Sequence, residues 1–184
     1  MKDIALHILD VANNSVGAKS LLTEITIDEQ PEANTLTVTI KDNGRGMSEE
    51  IAKRIVDPFY TTRTTRKVGL GIPLFKQNAE KTGGYLTIES KEGVGTTVVA
   101  MFVYDNIDRP PVGDIAGVMT ILITGNPEID FIYTHVFKEK TITFDTREIK
   151  EALDGMPINN PQIVMYLREM FEENIQEIIN NNSN

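Results

Sequence analysis

The run NTLTVTI at residues 34–40 alternates polar and apolar side chains, as a strand with one buried face does. It meets KDNGRGM at 41–47, where Asp42, an Asn-Gly pair and a second glycine crowd together. Asn-Gly after an alternating strand ordinarily closes a hairpin. Here the next residues, SEEIAKRI, show no returning alternation, and Ser48 is a helix cap ahead of a short helix. Whatever this chain folds into must therefore hold a strand end, a glycine-rich bend and a helix start within a few residues. Asp42 sits at the tip of that strand, either as part of a turn or as a carboxylate that reads a ligand.

The rest of the N-terminal half divides readily. Residues 3–18 carry Ile4, Ile8, Val11 and Ala12 at helical spacing, with Asp10 and Asn14 one turn apart on one face. His7 borders the same stripe and reads as a structural or neighbouring residue. LLTEITIDE precedes NTLTVTIKD as a second strand, and Pro31 and Asn34 supply the turn between them. Residues 57–68, DPFYTTRTTRKV, have no period and read as a loop. A helix follows over about 72–82, tolerating Pro73 in its first turn and ending at Gly83-Gly84. YLTIES and TTVVAMFVY are strands joined by KEGVG.

Composition shifts at DNIDRPPVGD, which reads as a connector. The chain thus divides into residues 1–104, a connector at 105–113, and an extension at 114–184. In the extension, GVMTILIT, FIYTHVF and KTITF read as three strands, GNPEID as a turn, and KE as a tight hairpin containing Lys138. Asp145 with Glu148 starts TREIKEAL as a capping box. Ile163, Leu167, Met170, Phe171, Ile175 and Ile178 give one apolar face to a last helix over about 161–179. The expectation for 114–184 is a small β-rich unit ending in helices, either continuing the main sheet or standing as a docking module.

With 184 residues, 40% hydrophobic and 24% charged, the chain suits one core with an appendage. A net charge of −9 weighs against gripping phosphate backbones, so no nucleic-acid partner is expected. Absence of cysteine excludes thiolate nucleophiles and disulfides. No stretch approaches the ~18 uninterrupted apolar residues of a membrane span. A cytoplasmic protein without a membrane partner is the expectation.

Each candidate motif has a plain reading when taken alone. Asn14 on an apolar helix fills a polar core contact. GLG before a helix is a weak phosphate signal, although glycines and a helix N-terminus favour oxyanions. TTRTTRK at 61–67, with four hydroxyls and three cations, is a solvated loop or a phosphate-facing lid.

In order, DVANNSVGA (10–18), DNGRGM (42–47), PFYTTR (58–63), VGLGI (68–72) and GVGTT (93–97) resemble the GHKL superfamily of gyrase, heat-shock 90 chaperones, histidine kinases and MutL. The resemblance runs from about residue 4 to residue 103 and is nearest to the ATP-binding domain of sensor histidine kinases. DPFYTTR, VGLGI, KTGGYLTIES and EGVGTT match that domain in succession.

The resemblance implies an α+β two-layer sandwich, the Bergerat fold, with helices on one face of a mixed sheet and ATP and Mg2+ as cofactors. It implies that Asn14 holds the magnesium of Mg-ATP and that Asp42 accepts from the adenine amino group. Gly44 and Gly46 let backbone pass beside the base, and Met47 packs near it. Phe59 positions a lid in which Thr61, Thr62, Arg63, Arg66 and Lys67 face phosphate. Gly69, Leu70 and Gly71 lie over the phosphates, and Thr96 or Thr97 lies near adenine. Asp10 stands where ATPase branches carry a glutamate, one methylene longer, and is the candidate catalytic base.

Two departures qualify this pattern. Lys67 replaces what is often a glycine, and a phosphoacceptor hairpin is not expected ahead of Asn14. A kinase of this kind would phosphorylate a partner protein in trans. An ATPase or an ATP-dependent switch is the alternative.

Overall fold

A computed structural model of the chain describes residues 3–56 and 70–180. The first helix, α1 (Ile4–Gly17), is capped by Asp3, whose carboxylate accepts from the Leu6 amide at 2.9 Å. Its stripe of Ile4, Ile8, Val11 and Ala12 is buried. Strands β1 (Leu22–Gln30) and β2 (Thr35–Asp42) follow, then the short helix α2 (Glu49–Arg54), capped by Ser48. Helix α3 (Gly71–Lys81) leads into β3 (Tyr85–Lys91) and β4 (Gly95–Val103). Beyond the connector come α4 (Ile115–Gly125), β5 (Asp130–Phe137), β6 (Lys140–Asp145), α5 (Thr146–Ala152) and α6 (Pro161–Asn180).

One segment departs from the sequence expectation. GVMTILIT is not a strand but the body of α4. The run is apolar almost throughout, and eight of the helix's eleven residues are buried, so periodicity could not separate a helix from a core strand. The deciding feature lies just upstream: the Asp114 carboxylate accepts from the Gly117 amide at 2.8 Å and caps the first turn. Residues 114–180 therefore hold two strands and three helices rather than three strands and two helices.

All six strands form one mixed sheet in the order β3-β4-β2-β1-β5-β6. Every neighbouring pair is antiparallel except β1 with β5, which run parallel from Leu22 opposite Asp130 to Glu29 opposite Phe137. Alternation sends one side chain in two toward the helices. The register then lines up Ile88, Val98, Ile40, Ile25, Tyr133 and Phe144 as one apolar row across the sheet. The opposite face carries half-buried threonines such as Thr26, Thr37 and Thr39. Helices α1, α3, α4 and α6 cover the apolar face, giving the two-layer α+β sandwich.

Two histidines lie inside this layer. His135 is bracketed on the helix side of β5 by the Tyr133 hydroxyl, 2.8 Å from Nδ1, and by Glu29, 2.9 Å from Nε2. Burial, with the Glu29 charge nearby, pushes the Tyr133 phenol well above its usual range. It stays a hydroxyl, and the His135 ring links it to the Glu29 carboxylate. This chain fastens β1 to β5. Phe171 of α6 packs against Tyr133 and Phe144, with ring centroids 5.9 and 4.5 Å away, and clamps the last helix onto the same strands.

His7 stacks on Phe75 at 4.6 Å and joins α1 to α3. The Asn78 amide lies 2.8 Å from its Nε2, while Nδ1 is buried with no hydrogen-bond partner among the described residues. Burial is the main cause that lowers the imidazole to about 4 from an ordinary 6.5.

Two outcomes follow. Truncating the fully buried Phe171 to alanine is expected to cost about 3–5 kcal/mol. Because β5 shares the sheet with β1, urea unfolding followed by circular dichroism should remain a single transition moved to lower denaturant. The second outcome concerns pH. Between about 6.5 and 4 the unfolded chain binds a proton at His7 that the folded chain does not. The contribution of neutral His7 is therefore complete above about 6.5 and lost as pH falls toward 4. The variant His7→Leu should show a shallower loss of midpoint over that window than the parent chain.

Candidate functional site

The apolar row of the sheet ends one step beyond Ile40. Two residues further along each strand, the register places Ser90, Thr96, Asp42 and Thr23 side by side on the helix face. A polar row thus succeeds an apolar one at the end of β2, and a cavity of about 290 Å3 opens between this end and α1. Val11, Ile40, Ile72 and Val98 form its apolar walls. Asn14, Ser15, Asp42, Arg45 and Thr96 supply its polar groups, and Gly46 and Met47 close one side. An apolar slot with a few convergent polar groups suits a flat, heteroatom-bearing ligand.

Asp42 is held by two donors. The Ser15 hydroxyl donates to Oδ2 at 2.7 Å, and the Gly44 amide donates to Oδ1 at 2.9 Å. An ionised carboxylate has about four acceptor positions, so capacity remains for a ligand N–H. Ser15 is almost fully buried on α1, one residue after Asn14, and ties the helix to the strand tip. The neighbouring Asn43 faces the other way. Its side-chain oxygen accepts from the Leu21 and Leu22 amides at 2.8 and 2.9 Å and pins the start of β1.

The bend after Asp42 is fitted against the β3–β4 turn. Gly46 has φ of +65°, and a Cβ there would collide with the Lys91 carbonyl. Gly95, at φ +138°, lies against the Asp42 carbonyl in the same way. The Gly93 amide donates to the Arg45 carbonyl at 2.7 Å, and the Met47 amide donates to the Ser90 hydroxyl at 2.9 Å. Gly44 is buried beside Ala18 and Asp42.

Other sequence candidates fall around this cavity rather than all within it. Thr96, opposite Asp42 in register, lines it. Thr97 pairs with Lys41, and alternation turns it to the opposite face of the sheet. Asp10 and Asn14 are both on the solvent-facing side of α1, one turn apart. The Asp10 carboxylate reaches the first turn of α3, so near Gly71 that a Cβ on residue 71 would overlap it. Leu70, at the start of α3, is 44% exposed and contributes no side-chain cap. Phe59, Thr61, Thr62, Arg63, Arg66, Lys67 and Gly69 lie outside the described residues.

Ser15, Ser90, Arg45 and Gly95 were not among the sequence candidates. A positive-φ requirement at the second glycine of EGVGTT was a usable signal for Gly95. The two serines lie within the motifs DVANNSVGA and KTGGYLTIES, but their partners are distant in sequence and gave them no role there.

The two glycines at 46 and 93 separate close approach from backbone strain. Both have positive φ, but a Cβ at Gly93 meets nothing within 4 Å. Gly93→Ala should cost about 1–2 kcal/mol for the left-handed backbone alone. Gly46→Ala should cost more in urea unfolding and should also displace Met47 from the cavity wall.

Comparison with known proteins agrees with this architecture. Sporulation kinase C of Bacillus subtilis (strain 168) is 32% identical over 88 residues, which cover 48% of this chain and 20% of that protein. Sporulation kinase E of the same organism is 42% identical over 59 residues, covering 32% of this chain and 8% of that protein. The chain thus spans a fifth or less of the length of these relatives. Among solved structures, the N-terminal domain of a DNA repair protein superposes with a TM-score of 0.53 at 15% identity. It covers 79% of this chain and 52% of that one, and likeness at this identity is one of fold. The family described as histidine kinase-, DNA gyrase B-, and HSP90-like ATPase matches residues 2–106, and the chain belongs to it.

Proposed function

We propose that the cavity at the end of β2 binds Mg-ATP and that the chain transfers the γ-phosphoryl group to a partner protein. The observation that carries the nucleotide reading is Asp42, a carboxylate fixed as an acceptor at the polar end of an otherwise apolar slot. An adenine amino group satisfies its remaining acceptor capacity, while Ile40, Val98 and Met47 bury the ring. The exposed Asn14 amide then lies on the phosphate side. It offers one hard oxygen, which fits an ion that keeps most of its ligands as water and phosphate. Magnesium, when bound, supplies charge neutralisation for the phosphate oxygens.

Gly71 and Leu70, at the N-terminal turn of α3, give phosphates a positive helix end. Thr62, Arg63, Lys67 and Gly69 are proposed lid contacts on the basis of sequence. Asp10 is the acid placed to orient or deprotonate the attacking group, a hydroxyl or an imidazole. As the new bond to phosphorus forms and the β–γ bridge breaks, ADP leaves with the bridging oxygen. Phosphoryl transfer rather than simple hydrolysis suits the similarity to sporulation kinases over part of this chain.

A second reading is an ATPase or an ATP-driven switch. The feature that favours it is the pairing of β5 with β1, which joins residues 114–180 to the sheet that carries Asp42. Any displacement of the strand tip on nucleotide binding would then reach the C-terminal helices.

Calorimetry with ATP and magnesium tests the nucleotide reading. Asp42→Ala is expected to abolish measurable binding, and unchanged affinity would remove the adenine assignment. Asn14→Ala is expected to bind ATP equally with and without chelator, whereas the parent chain binds more tightly with magnesium. Incubation with γ-labelled ATP and host lysate separates the two functional readings. Label on a second protein, lost with Asp10→Asn, supports transfer. Free phosphate without labelled protein supports hydrolysis.

A further inference from the structure

The structure assigns to Ser90, outside the cavity, the setting of hydrogen-bond polarity at the wall that would meet the base. This rests on the adenine reading above. Ser90 lies at the end of β3, in the polar row next to Thr96 and Asp42. Its hydroxyl has three neighbours. The Met47 amide, which can only donate, is 2.9 Å from Oγ. The Gly95 carbonyl, which can only accept, is 3.1 Å away. The Thr96 hydroxyl, which can do either, is 2.8 Å away.

A serine hydroxyl has one hydrogen and two lone pairs. One lone pair takes the Met47 N–H and the hydrogen goes to the Gly95 carbonyl. What remains for Thr96 is a lone pair, so Thr96 donates to Ser90. The proton of Thr96 is therefore turned away from the cavity and its own lone pairs face inward.

Asp42 is fixed in the same sense by Ser15 and Gly44, which occupy it only as an acceptor. Asp42 and Thr96 are opposite each other in register. Together they present two acceptors side by side, which fits the two hydrogens of one exocyclic amino group. A purine with oxygen at that position brings lone pairs against lone pairs. Ser90 is thus a positioning residue, and the property it controls is preference for a 6-amino over a 6-oxo purine nucleotide. The same hydroxyl anchors Met47, so ring burial and amino recognition share one support.

The test compares ATP with inosine triphosphate by calorimetry on the full chain. Ser90→Ala releases the Thr96 hydrogen to turn inward. Its ATP-over-inosine-triphosphate preference should fall about five- to tenfold, the worth of one neutral hydrogen bond. Ser90→Thr, which keeps the hydroxyl, should restore the preference. Two results overturn the proposal while leaving adenine binding intact. One is an unchanged preference in Ser90→Ala; the other is an equal loss of affinity for both nucleotides, which marks a purely structural role. Asp42→Asn is the control for the underlying reading: if it alters neither affinity nor preference, the base does not meet this wall and the proposal falls with it. Thermal melting of each variant confirms that the binding measured is that of folded protein.

Discussion

The hydrogen bond from Ser15 to Asp42 joins the two layers at the cavity on the end of β2. Helix α1 would pack on the sheet without it, through Ile4, Ile8, Val11 and Ala12. Packing alone, however, does not fix a carboxylate at a strand tip. Burying a hydroxyl beside a charge is favourable only when each satisfies the other, and here both do. The bond sets the distance between Asn14 on the helix and Asp42 on the strand. The rest of the cavity is arranged around that separation: an apolar floor where the sheet's row ends, a glycine bend at 44–46, and the turn at 93–95 fitted beneath it.

Much of this was legible in the sequence because it depends on chain order. The alternation of β1, β2 and β5, the caps at Ser48 and Asp145, and the glycine stop after α3 are local signals, and the structure follows them. The two-residue hairpin at Lys138 and Glu139 closes as its position suggested, with Lys138 at φ 57°. The ATPase family too was readable, since five short motifs in a fixed order are a property of one dimension.

What was not legible depends on three dimensions. GVMTILIT has the β-branched content of a strand, and its burial on nearly all sides erased the helical period. The choice between Thr96 and Thr97 could not be made until the register with β2 was known, because one step in a strand reverses the face. Ser15 and Ser90 lie within the motifs DVANNSVGA and KTGGYLTIES, but nothing local assigns either of them a partner. Their importance comes from partners brought near by the sheet and by α1, and a serine beside an apolar stripe is otherwise unremarkable in a sequence.

The parallel pairing of β1 with β5 bears on how the chain reaches this state. Strand β1 is made early and gains β2 at once through a short turn, yet its other edge waits for residues 130–137. Until they arrive, that edge presents unpaired amides and carbonyls beside Ile25 and Ile27, which is a template for pairing with another chain. Completing the sheet therefore depends on a contact of long sequence separation, a slow kind of event in folding. The C-terminal third then acts as the internal cover of a vulnerable edge. A chain cut before β5 would be expected to aggregate rather than to remain as a smaller nucleotide-binding unit.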